Sequence, residues 1–419
     1  MNEEIKTFQR PSEYFQWKAQ QNKPPLIGAE FEHLILNQDN SWVKSEEVAA
    51  IMDDLVNDDW QMETVEGVFL GLRHECMWIS LEPGSQFEIS IRPLPTVNHL
   101  EKCYRTFLEH VLPIIHKHGK KLVGVGFQPI TRPDDIELID KKRYHYMNQH
   151  FSKTGTMGYY MMRASAASQM AVDYFSEQDF VEKLQFATRI GPYLALMFDS
   201  VSYVHNQYLT ENLFRTTIWN NTDDQRSNTV RGGLEPDFGF EKYTKHILNF
   251  EPVVLTNDQK TISTGHKKTK DLIRYPVTVD LWEHFLSMAF FDVRAKGYLE
   301  IRMIDSVPYP YNLAAVALIK GIMYHPDMNK LHDRFRDIDQ TAHEAIKRDL
   351  IEHGYQSTIY GRSAKDVTKL LYQWGLEGLT PEERPLLEVM KGKVERSENF
   401  RYPPTVSLEE AIRRNEVRL

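Results

Sequence analysis

Glutamates recur at alternating positions in several short segments of this chain. They stand in Ile27-Gly28-Ala29-Glu30-Phe31-Glu32, in Ser80-Leu81-Glu82-Pro83-Gly84-Ser85-Gln86-Phe87-Glu88 and in Tyr298-Leu299-Glu300-Ile301-Arg302. A fourth segment, Met162 to Asp173, carries Arg163 and Gln169. In a strand, side chains alternate between faces with period two. Glu30 and Glu32 then share one face, with Ile27, Ala29 and Phe31 on the other. Gln86 and Glu88 likewise oppose Phe87 and Ile89, and Glu300 and Arg302 oppose Leu299, Ile301 and Met303. A sheet with one apolar face and carboxylates on the other suits hard divalent cations. Magnesium takes oxygen ligands and bridges protein carboxylates to phosphates. Phosphoryl transfer in turn depends on positioning and charge neutralisation. Glu30, Glu32, Glu82, Glu88 and Glu300 are the candidate ligands, with Arg302 facing the phosphate. A single Glu-x-Glu is most often a solvated face; three such strands with apolar reverse faces point to a site.

The elements that position these residues follow from periodicity and punctuation. A strand is expected from Leu26 to Leu36, then a hairpin through Val68–Leu72 and Met77–Arg92. Leu100, Tyr104, Phe107, Leu108, Val111, Leu112 and Ile115 have helical spacing over 97–118, with Pro113 expected to end or kink the helix. Lys121 to Phe127 and Met161 to Asp173 read as strands. Ser176-Glu177-Gln178-Asp179 is a helix start, and the helix continues through Met197. Residues 207–280 read as long connections with little regular structure, of the kind that bind or close over ligands. Helices are expected near 311–323, 328–351, 364–375 and 381–392, packed on the back of the sheet. With no clear linker, 1–419 reads as one catalytic unit: a sheet-based core over 20–310 and a helical C-terminal part over 311–419.

Composition narrows the class. The 419 residues are 41% hydrophobic and 26% charged, as in ordinary globular proteins. A net charge of −9 without a basic stretch argues against a nucleic-acid partner, and Lys267-Lys268-Thr269-Lys270 reads as a solvated loop. With Cys76 and Cys103 as the two cysteines, neither a disulfide framework nor a cysteine-based zinc site is expected; they read as a loop thiol and a core helix residue. Met1-Asn2-Glu3-Glu4 lacks the character of a signal peptide, and nothing approaches the roughly 20 apolar residues of a membrane span. The expectation is cytoplasmic, with no membrane partner. His284, in a helix beside Trp282, reads as structural. Trp219 suits either stacking on adenine or packing, and Arg226 either an anionic substrate or an ion pair.

Further motifs carry a resemblance. Beside the glutamate segments stand Glu66-Gly67-Val68-Phe69-Leu70-Gly71-Leu72, Gly124-Val125-Gly126-Phe127-Gln128-Pro129, Arg143-Tyr144 with Met147, and Gly155-Thr156-Met157-Gly158. Met161-Met162-Arg163 follows, with Gln169 and Asp173, then Arg215-Thr216-Thr217-Ile218-Trp219 and Asp224-Gln225-Arg226. Phe238-Gly239-Phe240-Glu241-Lys242-Tyr243, His284 and Asp292-Val293-Arg294-Ala295-Lys296-Gly297 complete the series. In this order, over residues 25–325, the chain resembles the plant-type and proteobacterial glutamate–cysteine ligases, within the glutamine synthetase-like carboxylate–amine ligases. The resemblance implies an α+β fold, with a curved antiparallel sheet of about six strands forming an active-site funnel backed by helices. It also implies an ATP- and Mg2+-dependent reaction. ATP would phosphorylate the γ-carboxylate of L-glutamate, and the amine of L-cysteine would displace phosphate to give γ-glutamylcysteine, the first step towards a thiol such as glutathione.

By position, Glu30, Glu32, Glu82, Glu88 and Glu300 would be the metal ligands. Arg302 and Arg226 would contact phosphate or the substrate carboxylate, with Glu300 beside them in catalysis. Arg163 and Gln169, on one face of their strand, would face substrate, together with Gln86, Arg215 and Trp219. The partners implied are small molecules, and the assembly a monomer or homodimer. Two segments depart from the pattern. Relatives carry Arg-Thr-Cys-Thr-Val-Gln where this chain has Arg163-Ala164-Ser165-Ala166-Ala167-Ser168-Gln169. After Glu300-Ile301-Arg302 they carry a Gly-rich stretch where this chain has Met303 to Tyr309. Both segments would shape the acceptor pocket. The alternatives are therefore a γ-glutamyl ligase for another amino acid or amine, and a non-catalytic nucleotide-binding relative.

Overall fold

The computed structural model describes residues 6–65, 68–257 and 260–419. Met1-Asn2-Glu3-Glu4 and the Glu66-Gly67 pair lie outside the described residues. Among the described residues nine strands form the main sheet: β1 (Ile27–Leu36), β2 (Gln61–Val65), β3 (Val68–Arg73), β4 (Met77–Leu81), β5 (Phe87–Leu94), β6 (Lys121–Val123), β7 (Ala167–Val172), β8 (Val293–Ala295) and β9 (Leu299–Asp305). Their order is β8-β9-β7-β1-β5-β4-β3-β2, with β6 paired to the end of β1, and every ladder is antiparallel. The sheet is wider than the expected six strands because the β2–β3 hairpin extends one edge and three-residue strands add to it. The register sets Glu30 opposite Gln169 on one side and Ser90 on the other, and Glu32 opposite Glu88.

The reverse face is the core. Ile27, Ala29, Phe31, Phe87, Ile89, Leu299 and Ile301 are buried there, as alternation requires. Helix α1 (Val97–Lys117) packs against β5 and β6 with the predicted apolar positions inward, each such side chain contributing about 1.5–3 kcal/mol by burial. Thr96 caps it by accepting from the His99 N–H. Pro113 neither ends nor breaks this helix. It lies on the exposed face, as does Glu109 one turn earlier, so water can satisfy the carbonyl that the missing N–H leaves unbonded. Helix Tyr311–Met323 lies behind β1 and β7, and Ala364–Glu377 packs on it in turn. No helix among the described residues is long and apolar enough to cross a membrane.

Five expectations about elements are corrected. Residues 158–164 form a helix, α2 (Gly158–Ala164), and the strand starts only at Ala167. Tyr, Met, Arg and Ala tolerate a helix well, and seven residues are too few for a helical period to show. Residues 207–280 contain helices Phe214–Asn220 and Phe240–Asn249 and the hairpin Val254–Asn257 with Lys260–Ser263. The span 328–351 divides into Met328–Asp333 and Gln340–His353, the second capped by Asp339 accepting from the Ala342 N–H, and 381–392 divides as well. Regular pairing of the strand at Lys121 ends at Val123, before Gly124-Val125-Gly126. A Cβ on Gly126 would meet the Asp305 carboxylate at 2.4 Å, so only glycine admits this close approach. Ser176 caps its helix as expected, accepting from the Asp179 N–H. The fold also sets Cys76 beside Cys103, as free, partly exposed thiols.

Candidate active site

The face opposite the core is divided by charge. On β1 and β5, Glu30, Glu32 and Glu88 bring one carboxylate oxygen each to within 4.8 Å of the others. The donors that reach them are neutral. Gln169 Nε2 donates to Glu30 (2.6 Å) and Glu32 (2.9 Å), and the Ala167 N–H donates to Glu32 (2.7 Å). Ser80 and Ser90 hydroxyls donate to Glu88 (2.7 and 3.3 Å). Burial, then the charges of Glu88 and Glu300, push the Glu30 carboxyl up to about 8. Glu88 rises to about 8 through burial and the charges of Glu82 and Glu32. Burial raises Glu32 to about 7 against the pull of nearby Arg215, and Glu82 to about 7 with Glu32 and Glu30 adding to it. Four carboxylates that resist ionising together form a set of hard oxygen donors short of positive charge. A divalent cation fits that deficit.

Two strands away the balance reverses. Glu300 on β9 receives Arg294 through Nε (2.6 Å) and Nη2 (2.5 Å), Arg302 through Nη1 (2.8 Å) and Lys296 through Nζ (3.3 Å). Burial alone would raise this carboxyl, but Arg294, Lys296 and Arg302 outweigh it and hold Glu300 well below the usual carboxylate range. Arg294 is fixed from behind by the carbonyls of Ser287 and Ala289. The β7–β9 register shifts between Ile301 and Ile304, and such an irregularity re-aims the side chains it contains, here Arg302. Between the camps, on β7, Gln169 accepts from Arg302 Nη1 through its amide oxygen. A cavity of about 390 Å³ opens over this floor, lined by Glu30, Gln169, Glu300, Tyr298, Ser90 and Trp78 among others. That is the size range of small-molecule sites.

The structure thus brings together Glu30, Glu32, Glu88, Gln169, Glu300 and Arg302. It sets Glu82 outside the three-carboxylate group, though close enough to feel its charge. Glu300 does not join that group; it is enclosed by cations instead. Arg163 does not share a strand face with Gln169, because it lies on α2, where its guanidinium donates to the Pro133 and Ile136 carbonyls and to Asn148. The Gln86 amide is consumed by the Gly84 N–H and the Met162 and Ser165 carbonyls, fastening the Pro83-Gly84-Ser85 turn to α2. Arg226, only 1% exposed, donates to Asp223 (2.7 Å) and to the Met288 and Glu251 carbonyls. Arg215 pairs with Asp305 (3.2 Å) and donates to the Ile304 carbonyl, beneath the glutamates. Trp219 packs on Phe290 at 6.0 Å between ring centroids, and His284 bonds the Val254 carbonyl.

Sequence reasoning assigns no role to Arg294, Lys296 or the Lys141–Arg143 pair, whose charges act on Glu82. For Arg294 and Lys296 a signal exists: they alternate on the segment leading into Glu300, on the face that Glu300 and Arg302 share.

Comparison with known proteins identifies the family. A family model described as glutamate-cysteine ligase family 2 (GCS2) matches residues 26–380. Chloroplastic glutamate–cysteine ligase B of rice (Oryza sativa subsp. japonica) is 28% identical over 360 residues, covering 83% of this chain and 72% of its own. The chloroplastic enzyme of tobacco (Nicotiana tabacum) is 28% identical over 392 residues, covering 85% and 74%. Among solved structures, the glutamate–cysteine ligase of Francisella tularensis in complex with AMP shares the fold. Its TM-score is 0.54 at 11% identity, over 88% of this chain and 82% of that one. With the family match running from the first sheet strand through helix Ala364–Glu377, over most of its length, the chain belongs to glutamate-cysteine ligase family 2.

Proposed function

We propose that the chain joins the γ-carboxylate of L-glutamate to the amine of L-cysteine at the expense of ATP. A γ-carboxylate oxygen attacks the terminal phosphorus of ATP, releasing ADP and leaving γ-glutamyl phosphate. The cysteine nitrogen then attacks the acyl carbon, phosphate departs, and the nitrogen loses a proton as the amide forms. The observation that carries this reading is the divided floor: Glu30, Glu32 and Glu88 within 4.8 Å of one another, facing an arginine-rich group across a single strand. That arrangement suits a substrate whose phosphates need neutralising from two sides.

Glu30, Glu32 and Glu88, with Glu82 beside them, would hold Mg2+, which when bound neutralises phosphate charge. Arg302, braced by Glu300 and Gln169, would neutralise charge on the transferred phosphoryl group. Arg294 and Lys296 keep Glu300 ionised, so that Glu300 in turn fixes Arg302. Arg215 and Arg226 would support the walls, since buried ion pairs with Asp305 and Asp223 hold them within the protein. We place the whole activity in one catalytic unit, the C-terminal helices bracing the back of the sheet.

The test is phosphate release by the purified protein with ATP, Mg2+ and L-glutamate, comparing L-cysteine with other amines. Release that needs both glutamate and cysteine, with γ-glutamylcysteine identified by mass, is expected. Release only with a different amine would move the activity to another γ-glutamyl ligase. ATP binding without turnover for any amine would overturn the enzymatic reading.

A further inference from the structure

The two charged camps of the site are kept apart by one neutral side chain. Strand β7 runs between β1 and β9, and three of its side chains share the site face: Ala167, Gln169 and Ala171. The alanines stop at Cβ, so Gln169 is the only one of the three that reaches between Arg302 and the glutamates. Its amide is used at both ends. The two N–H groups go one each to Glu30 and Glu32, and the oxygen accepts from Arg302. That exhausts its donors and turns each end of the amide dipole to the charge it complements. The side chain is 4% exposed and held in this orientation by charged groups on both sides.

We propose that Gln169 is a positioning residue: a neutral spacer that stops Arg302 from collapsing onto Glu30 and Glu32, and so keeps the carboxylates available to a divalent cation. This role rests on the carboxylate site proposed above. Arg302 and the two glutamates bond to opposite ends of one amide, so nothing bulkier than that group separates them. With the amide removed, only the methyl groups of Ala167 and Ala171 would remain on this face of β7. A guanidinium pairs with carboxylates in a bidentate fork and would then compete with the cation for the same oxygens. The alternative role, in which Gln169 merely orients Glu30 and Glu32, makes a different prediction about Arg302.

The experiment is titration of the full-length protein with Mn2+ alone, followed by the electron paramagnetic resonance signal of the free ion. Gln169→Ala should weaken Mn2+ binding by on the order of tenfold, the effect typical of residues that support metal ligands. In the Arg302→Met background the same substitution should have little effect, because the competitor is gone. Gln169→Glu, nearly identical in shape, keeps Arg302 engaged and should bind Mn2+ at least as tightly as the unaltered chain. A Gln169→Ala defect that persists at full size without Arg302, or weakened binding in Gln169→Glu, would overturn the inference. Equal binding by the unaltered protein and Gln169→Ala would overturn the inference and leave the carboxylate site standing. Failure of the unaltered protein to bind Mn2+ would overturn the carboxylate site itself and this inference with it.

Discussion

Glu30 and Glu300 lie on the same face of one sheet, two strands apart, and live in opposite electrostatic surroundings. Glu30 sits among three other carboxylates, its proton held up to about 8 by burial and then by like charges. Glu300 sits among Arg294, Lys296 and Arg302 and stays ionised despite its burial. The first is a carboxyl group that burial and its neighbours hold back from ionising until a cation arrives from solution; the second is an anion whose cations are built in. The difference teaches that burial alone does not mark a functional carboxylate. What marks it is burial that protein counter-charges do not offset, because that arrangement leaves binding free energy for a ligand.

Substitutions that neutralise one side at a time should separate the two. Glu30→Gln is expected to lower phosphate release by about a thousandfold, because an amide is a poor ligand for magnesium and the site chemistry depends on that charge. The melting temperature of the cation-free protein should hold or rise, since a carboxyl disfavoured there by burial and then by like charges is replaced by a neutral amide. A clear fall in melting temperature would erase the distinction between the two glutamates. Arg302→Lys should reduce turnover by about a hundredfold, since Nη1 of the arginine serves both Gln169 and Glu300 and a lysine has no second nitrogen to turn to substrate. Turnover near normal would remove Arg302 from the chemistry. Glu300→Gln should behave unlike Glu30→Gln in stability, costing about 3 kcal/mol by chemical denaturation, because it strands Arg294 and Arg302 without their anion. Equal stability effects from the two substitutions would show that the sides are not distinct.

Asp223 extends the comparison to a carboxylate away from the site. Burial would raise it, but the His150 hydrogen bond and the Arg226 charge overcome that and bring it down to about 2, below the 3.8 of an unperturbed aspartate. A depressed carboxyl stabilises the fold above the unfolded value and loses that contribution as pH falls through the folded one. The pair should therefore contribute about 2 kcal/mol above pH ~4, fading towards pH ~2. Asp223→Asn should remove that amount at neutral pH and flatten the acid limb of the stability profile, with KM values unchanged. An acid limb identical to that of the unaltered protein would refute the assignment.

Much of the sheet is legible in the sequence alone. Alternation in β1, β5 and β9 assigns faces to Glu30, Glu32, Glu88, Glu300 and Arg302, because a strand leaves a side chain only two directions. The apolar spacing of α1 and the Ser176 cap are legible for the same kind of local reason. The helix at 158–164 is not: it is a single short stretch whose conformation is settled by its contacts with the turn at Gly84, where a Cβ would meet the Arg163 carbonyl at 2.1 Å. Arg163, Gln86 and Arg226 have chemistry suited to substrate, and residue type cannot say whether the protein itself takes up a guanidinium or an amide.

The sequence by itself determined which side chains share a strand face and how much negative charge the site face carries, since both follow from local periodicity and composition. The order of the strands was decided only in three dimensions. Placing β7 between β1 and β9 puts Gln169 between the carboxylates and the arginines. Closing β8 onto β9 brings Arg294 to Glu300. The division of one polar face into a side that seeks a cation and a side that already has one is a property of strand neighbours from distant parts of the chain, and pairing among them is set by the packing of the whole core.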